Sequence, residues 1–379
     1  MLEKSKCIGC TVCKLQCPKQ CIQMVIDEEG FKYPEIDERN CIHCNKCEMV
    51  CPVLQQKNGS TKEKTRLYAI KNMNQRVREH SSSGGVFSLI SENVLNKKGI
   101  VIGAAFAEDF SVQHIVVKDK KNLEKLQGSK YVQSDLGEIF FHCKQELEKG
   151  VLVLFSGTPC QNEALKKYLG REYENLICID IVCHGVPSPK LWKMYINYRR
   201  KKDVNDSEKI QEINFRSKLS GWKRYSILFQ YEKTKYLKHH YDDSFLQAYS
   251  YELISRPACY SCKFRGIKRN VDITLADFWG IENVLPDFCD DIGVSLLMVH
   301  TRKGMKLIDE VRDNIKCIEV DAEDVIKYNK SIIQSPVMNK KRKRFMKKVT
   351  EENFEECVQK ILTVPLLEKI LNRVKRVGK

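Results

Sequence analysis

The pattern C-x2-C-x2-C-x3-C-P occurs twice in the first 52 residues, as Cys7, Cys10, Cys13 and Cys17-Pro18 and again as Cys41, Cys44, Cys47 and Cys51-Pro52. Each cysteine follows its counterpart by 34 residues. Runs of this kind hold iron-sulfur cubanes: three close thiolates take three irons of one cluster, and the remote fourth cysteine reaches the other cluster. The spacing therefore predicts two 4Fe-4S clusters. One is held by Cys7, Cys10, Cys13 and Cys51, and its twin by Cys41, Cys44, Cys47 and Cys17. Zinc modules separate two CxxC pairs by a longer stretch and need neither the third close cysteine nor the Cys-Pro. Between the runs, residues 22–27 and 31–36 flank Glu28-Glu29-Gly30 and read as a hairpin. So short a segment buries little apolar surface, so its clusters must supply most of its stability. Cys21 lies outside the repeat and reads as a buried thiol.

The whole chain has 379 residues and 18 cysteines. It begins Met-Leu-Glu-Lys-Ser-Lys, without the apolar core of a signal peptide, and has no apolar stretch near the roughly 20 residues of a membrane span. A cytoplasmic protein is expected, in which thiols ligate metal or pack rather than pair as disulfides. Residues 1–56 carry seven Lys and Arg against eight Asp and Glu, so the net charge of +16 belongs to the remainder. Such a field attracts anions without choosing among them.

The fold class expected is α+β followed by α/β: a small two-cluster ferredoxin-like domain at 1–56, a polar linker at 57–66, a larger α/β domain at 67–335 with a largely parallel sheet core, and a basic helical segment at 336–379. In the larger domain strand patterns at 67–71, 100–106, 114–118, 151–155 and 176–183 alternate with helical patterns at 86–96, 136–149 and 161–169. Ligands of such sheets collect beyond the carboxyl ends of the strands. Ser81-Ser82-Ser83-Gly84-Gly85 before the first helix could approach a phosphate, or simply cap the helix. Gln127-Gly128-Ser129-Lys130-Tyr131 offers an ammonium and a phenol. Two apolar runs end in Ser156-Gly157-Thr158-Pro159-Cys160-Gln161 and in Cys183-His184-Gly185, and Cys259 and Cys262 form a CxxC pair. Together Cys160, Cys183, Cys259 and Cys262 would make a four-thiolate site for a third 4Fe-4S cluster. Structural zinc or inert thiols is the alternative for Cys259 and Cys262 taken alone.

From about Leu67 to Ile318 the chain resembles the beta subunit of the coenzyme F-420-reducing hydrogenase and its dehydrogenase relatives. The resemblance rests on Ser82-Ser-Gly-Gly, Gly128-Ser-Lys-Tyr-Val-Gln-Ser, Phe155-Ser-Gly-Thr-Pro-Cys-Gln, Val182-Cys-His-Gly-Val-Pro-Ser-Pro, Phe215-Arg-Ser-Lys, Arg256-Pro-Ala-Cys-Tyr-Ser-Cys and Asp272-Ile-Thr-Leu-Ala-Asp-Phe-Trp-Gly. It implies a flavoprotein with FAD in the central domain and a cluster on Cys160, Cys183, Cys259 and Cys262. Ser82, Ser83, Gly84 and Gly85 would then cradle the pyrophosphate, with Lys130, Thr158, Gln161 and Arg216 as further cofactor contacts. Lys130, Tyr131, His184 and Asp277 become candidates for proton donation. The function implied is an oxidoreductase passing electrons between a ferredoxin or other redox protein and a small molecule or deazaflavin, in a family that includes members associated with surface-polysaccharide synthesis. An electron-relay subunit with no substrate of its own is the alternative.

Residues 340–379 hold 13 Lys and Arg against five Asp and Glu, beginning with Lys340-Lys-Arg-Lys-Arg-Phe-Met-Lys-Lys. Phe354, Val358, Ile361, Leu362, Leu366, Leu367, Ile370, Leu371 and Val374 recur at helical spacing, interrupted by Pro365. Two readings follow: a helix docked on the protein, or a peripheral contact with the inner face of an anionic membrane. Nucleic acid is not an expected partner, because the Cys-Pro repeats belong to redox chemistry. Cys143, Cys178, Cys289, Cys317 and Cys357 have no partner spacing and read mostly as buried thiols.

Overall fold

A computed structural model describes residues 2–55 and 63–363 of the chain. The expected hairpin is present: β1 (Ile22–Ile26) pairs antiparallel with β2 (Lys32–Ile36), closed by a turn at Asp27–Gly30. Around it the cysteine runs form two short helical turns, Val12–Leu15 and Lys46–Met49.

The larger unit is built on an eight-stranded sheet. Its strands are β3 (Arg66–Asn72), β4 (Ile100–Phe106), β5 (Val112–Val117), β6 (Val153–Gly157) and β7 (Leu176–Ile181), joined after a second, smaller sheet by three more strands. The smaller sheet is an antiparallel meander of β8 (Ile210–Ser217), β9 (Ser226–Tyr231) and β10 (Lys235–His239). The large sheet is completed by β11 (Ile273–Asp277), β12 (Ser295–Val299) and β13 (Ile315–Glu319), in the order β13-β3-β12-β11-β7-β6-β4-β5. Strands β11, β7, β6 and β4 run parallel and form the centre, while every pairing outside them is antiparallel. The parallel core is the part visible as apolar runs, because strands covered on both faces lose alternation.

Helices Ile139–Glu148 and Pro159–Leu169 cover one face, burying Phe140, Phe155 and Leu165. Val12 of the N-terminal unit joins that same apolar cluster at 0% exposure, so the small unit is packed into the large one. Val86–Asn96 and Arg302–Asp309 cover the opposite face. The meander packs against helix Pro189–Val204 through Trp192, Tyr195, Phe215, Phe229 and Phe245.

The basic run departs from a free membrane-binding segment. Within helix Arg342–Lys348, Phe345 is fully buried and Arg342 forms a two-pronged ion pair with Glu29 (2.9 and 2.6 Å). Helix Phe354–Leu362 buries Phe354, Cys357, Val358 and Ile361 in the meander's core. The described part of the segment is docked, and the expected positions from Pro365 to Val374 lie outside the described residues, as do 57–62 of the linker. Among the described residues no helix is long and apolar enough to cross a membrane.

Candidate iron-sulfur and cofactor sites

The hairpin and the two helical turns arrange the eight N-terminal cysteines into two sets. One cavity is lined by Cys7, Cys10, Cys13, Cys47 and Cys51, and another by Cys17, Cys21, Cys41, Cys44 and Cys47. The structure thus brings together the members of each set expected from the spacing, with Cys47 lining both cavities and Cys21 lining the second. The two sets differ in their surroundings. Burial raises Cys10 well above the ordinary thiol value and pushes Cys13 up to about 12, with the neighbouring thiols adding to both shifts. Cys44 of the outer set is exposed. Cys21 is buried as expected, and its sulfur lies 3.4 Å from that of Cys17.

The inner set sits against the larger unit, and Arg256 makes the join. This arginine is 1% exposed; Nε donates to the Cys7 carbonyl (2.7 Å), one terminal nitrogen to the Lys32 carbonyl (2.9 Å) and the other to Gln133 Oε1 (2.9 Å). The guanidinium also lies 4.3 Å from the centre of the Tyr33 ring. Gly9 has to be glycine here: its φ is +69°, and a Cβ would stand 2.7 Å from the Arg256 guanidinium. Ser188 and Lys190 donate to the carbonyls of Glu29 and Glu28 at the other end of the hairpin.

Cys160, Cys183, Cys259 and Cys262 converge. Cys160 follows the carboxyl end of β6, Cys183 follows that of β7, and the CxxC pair occupies a short turn at Pro257–Ser261 and the residue after it. Burial, reinforced by the other thiols of the group, pushes Cys160, Cys183 and Cys259 up to about 12. To bind as thiolates in such a space, the four would need metal cations to offset their burial and mutual repulsion. The donor set also fits a cubane in a second respect. Ser255 is fully buried, its hydroxyl has no protein partner, and it lies where a Cβ on Gly185 would be 3.1 Å away, beside the Cys259 Cβ. Such a hydroxyl is available to a cluster sulfur.

Beyond the carboxyl ends of β6, β7 and β11 lies a cavity of about 860 Å³. Its wall includes Ser82, Ser83, Gly85, Lys130, Tyr131, Thr158, Gln161, His184, Arg216 and Asp277, together with Cys183. The structure thus gathers nearly all the sequence-derived candidates at one place, from segments up to 195 residues apart. Gly84 is the exception. It is buried between β3 and β12, where a Cβ would meet the Ile70 carbonyl at 2.6 Å and the Ser295 amide at 2.7 Å, so it lets the loop lie flat on the sheet.

Individual contacts refine the roles. Gly85, with φ +76°, caps the start of the eleven-residue helix Val86–Asn96, whose first residues Val86, Phe87 and Ser88 line the cavity. Ser82 accepts from the Ser129 amide (2.7 Å) and hydroxyl (2.9 Å), tying the two loops together. Thr158 and Gln161 form a capping box at the start of Pro159–Leu169, with the Thr158 amide donating to Gln161 Oε1 (2.8 Å); the Thr158 hydroxyl is 3.1 Å from Cys160 Sγ.

Asp277 accepts from both terminal nitrogens of Arg216 (2.8 and 3.2 Å) and from Trp222 Nε1 (2.9 Å), so both its oxygens are engaged in holding that arginine. Arg216 is buried, reaches the Tyr131 hydroxyl (3.2 Å) and the Ser82 carbonyl (3.3 Å), and stacks 4.0 Å over Tyr225. Burial is the largest influence and opposes its charge, but Asp277 together with the Tyr131 and Tyr225 phenols outweighs it and raises its pKa above the ordinary guanidinium value. Both ring nitrogens of His184 are occupied, Nε2 by Glu252 and Nδ1 by Ser331 (3.3 Å). Lys130 is different. Its Nζ donates to the carbonyls of Lys125 (3.0 Å) and Gln127 (2.7 Å), and burial lowers it to about 7.

Other residues of the site were not legible beforehand. Lys218 donates to the carbonyls of Arg78, Ser83 and Ile292, which occupy all three N–H groups of an ammonium although burial lowers it to about 7. Asp290 binds Lys71 (2.9 Å) and Arg78 behind the same serine-glycine loop. His114 is buried in the cavity wall, bonded to Ser134 and to the Ser156 carbonyl (3.1 Å), and burial lowers it to about 4, so it is neutral. Of these, sequence offered a hint only for Lys218, as the lysine in Phe215-Arg-Ser-Lys.

Comparison with known proteins places two regions. Residues 6–54 match the 4Fe-4S dicluster domain, and residues 151–325 match the carboxyl-terminal region of the beta subunit in the coenzyme F420 hydrogenase/dehydrogenase family. Among solved structures, a chain of the F420-reducing [NiFe] hydrogenase complex from Methanosarcina barkeri, determined with xenon, aligns at 12% identity with a TM-score of 0.45. The alignment covers 73% of this chain and 96% of that one. No curated protein matches the chain.

Proposed function

We propose that this chain, an iron-sulfur electron-transfer protein joining a 4Fe-4S dicluster domain to a region of the coenzyme F420 hydrogenase/dehydrogenase beta-subunit kind, is a flavin-dependent oxidoreductase. It would take single electrons from a ferredoxin-type carrier at its N-terminal unit and deliver pairs to a small molecule or deazaflavin in the central cavity. One observation carries the reading: the cavity of about 860 Å³ has Cys183 of the third thiol set in its wall, together with a helix N-terminus and a buried arginine.

Cys160, Cys183, Cys259 and Cys262 would hold a third 4Fe-4S cluster, and FAD bound in the cavity would exchange single electrons for electron pairs. The chain's own residues do the rest. The amides of Gly85, Val86 and Phe87 at the start of the helix suit a pyrophosphate, because unpaired N–H groups and the helix dipole favour an anion. Lys218 and Asp290 fix the loop that presents them, and Gly84 lets it approach the sheet. Arg216, immobilised by Asp277 and Tyr225, places a permanent positive charge in the cavity wall. Lys130, lowered to about 7 with two carbonyls accepting its N–H groups, is divided between ammonium and amine at pH 7 and can hold or release a proton.

The test uses oxygen-free purification of the full chain and of Cys160→Ser, followed by iron, sulfide and flavin analysis. The wild type should contain about 12 irons, three cubanes of four, and stoichiometric FAD. The variant should lose about four irons, keep the flavin, and no longer have that flavin reduced by ferredoxin. Equal iron content and an equal reduction rate in the two proteins would refute the third site.

A further inference from the structure

The two halves of the dicluster unit are related by the 34-residue repeat, which makes Thr11 and Asn45 equivalent. Each follows the second cysteine of its run, each takes a left-handed backbone (φ 65° and 56°), and each opens the short turn carrying the third cysteine. Their surroundings are not equivalent. Asn45 is exposed beside the outer set. Thr11 is 6% exposed, covered as Val12 enters the core of the larger unit, and it walls the cavity formed by Cys7, Cys10, Cys13 and Cys51. Its hydroxyl oxygen has no partner in the protein. A buried hydroxyl is costly unless bonded, and the acceptors expected in that cavity are cluster and cysteine sulfurs.

We propose that the Thr11 hydroxyl donates a hydrogen bond to a sulfur of the cluster held by Cys7, Cys10, Cys13 and Cys51, raising the reduction potential of that inner cluster relative to its outer twin. Reduction adds negative charge to the cluster, and a donor aimed at sulfur stabilises the reduced state more than the oxidised one. Burial of the inner set acts in the opposite direction by disfavouring added charge, so Thr11 offsets the effect of docking on the larger unit. The inference depends on the dicluster domain alone and is independent of FAD and of the third thiol set.

The experiment is a redox titration of the full-length protein followed by electron paramagnetic resonance, with iron and sulfide measured on the same samples. In Thr11→Val, which keeps the branched shape and removes the donor, one cluster's midpoint should move to more negative potential while the other stays, at unchanged iron content. Thr11→Ser should keep the wild-type midpoints, and Asn45→Val should move neither. Unchanged midpoints in Thr11→Val, or an equal drop in Asn45→Val, would overturn the proposal. Loss of iron from both Thr11 variants would assign the residue a packing role and overturn it equally.

Discussion

Replacing Arg256 with methionine tests whether the N-terminal unit is held in place by one buried side chain. Three acceptors depend on its guanidinium, the Cys7 and Lys32 carbonyls and Gln133 Oε1, all at 2.7–2.9 Å. Hydrogen bonds from a charged donor contribute about 1.5–3 kcal/mol each. Their plain sum overstates the loss, because methionine also removes the desolvation cost of a buried charge and retains some contact with Tyr33. Each buried acceptor left without its donor costs about 1–3 kcal/mol, so losing even two of the three is a large fraction of the roughly 5–15 kcal/mol typical of a whole domain. In denaturant titrations under anaerobic conditions, iron-sulfur absorbance near 400 nm reports the small unit and far-ultraviolet dichroism the large one. The wild type should lose both signals in one transition. Arg256→Met should lose the absorbance at clearly lower denaturant than the dichroism, with native iron content before unfolding. A single transition at the wild-type midpoint would refute the account of the interface, and the Glu29–Arg342 and Ser188–Glu29 contacts would then have to hold the units together unaided.

Two further outcomes are expected. With Lys130 lowered to about 7 by burial, acceptor reduction should show one ionisation near pH 7 that disappears in Lys130→Met. The same depressed value fixes the sign of the stability effect: its contribution is complete above the ordinary lysine value of 10.5 and declines as pH falls toward 7. The stability of wild type relative to Lys130→Met, followed by thermal unfolding, should therefore fall over that window. Arg342→Met, which removes the two-pronged pair with Glu29, should destabilise the docked hairpin by about 2–4 kcal/mol while leaving sedimentation with anionic liposomes unchanged. A loss of liposome binding without destabilisation would restore the membrane reading of the basic run.

The sequence disclosed what depends on local spacing. The dicluster region follows from the C-x2-C-x2-C-x3-C-P repeat, and β4, β6 and β7 were visible as unbroken apolar runs. The loops at the ends of β6 and β7 could then be marked as sites, because parallel strands put their carboxyl ends on one edge. What stayed hidden depends on partners far apart in the chain. Arg256 is separated by 249 residues from Cys7, and Lys218 by 135 from Ser83. An arginine before Pro-Ala-Cys looks like any solvated charge until the surface opposite it is known. The hydrogen-bond partners of Asp277 and His184 were hidden for the same reason. Both stand in promising motifs, but Trp222, Glu252 and Ser331, which engage their polar atoms beside the anticipated Arg216, were not predictable as neighbours.

The choice between a relay and a terminal oxidoreductase turns on the cavity rather than on the cysteines. A relay needs thiolate sets near one another and a docking surface, and apolar packing between them would serve it at least as well as open space. Here the space beside Cys183 is kept open at a structural cost. Arg216 is buried in its wall and needs Asp277 as a counter-charge, and Lys130 is held under conditions that depress its pKa. Gly84 and Gly85 give up side chains so that the serine loop can lie against the sheet. Groups of buried, perturbed titratable side chains gathered in one cleft are a feature of functional sites. Their grouping at the carboxyl edge, within the same wall as a thiol of the third set, is what the proposed cofactor and acceptor would use and what a relay alone would not need.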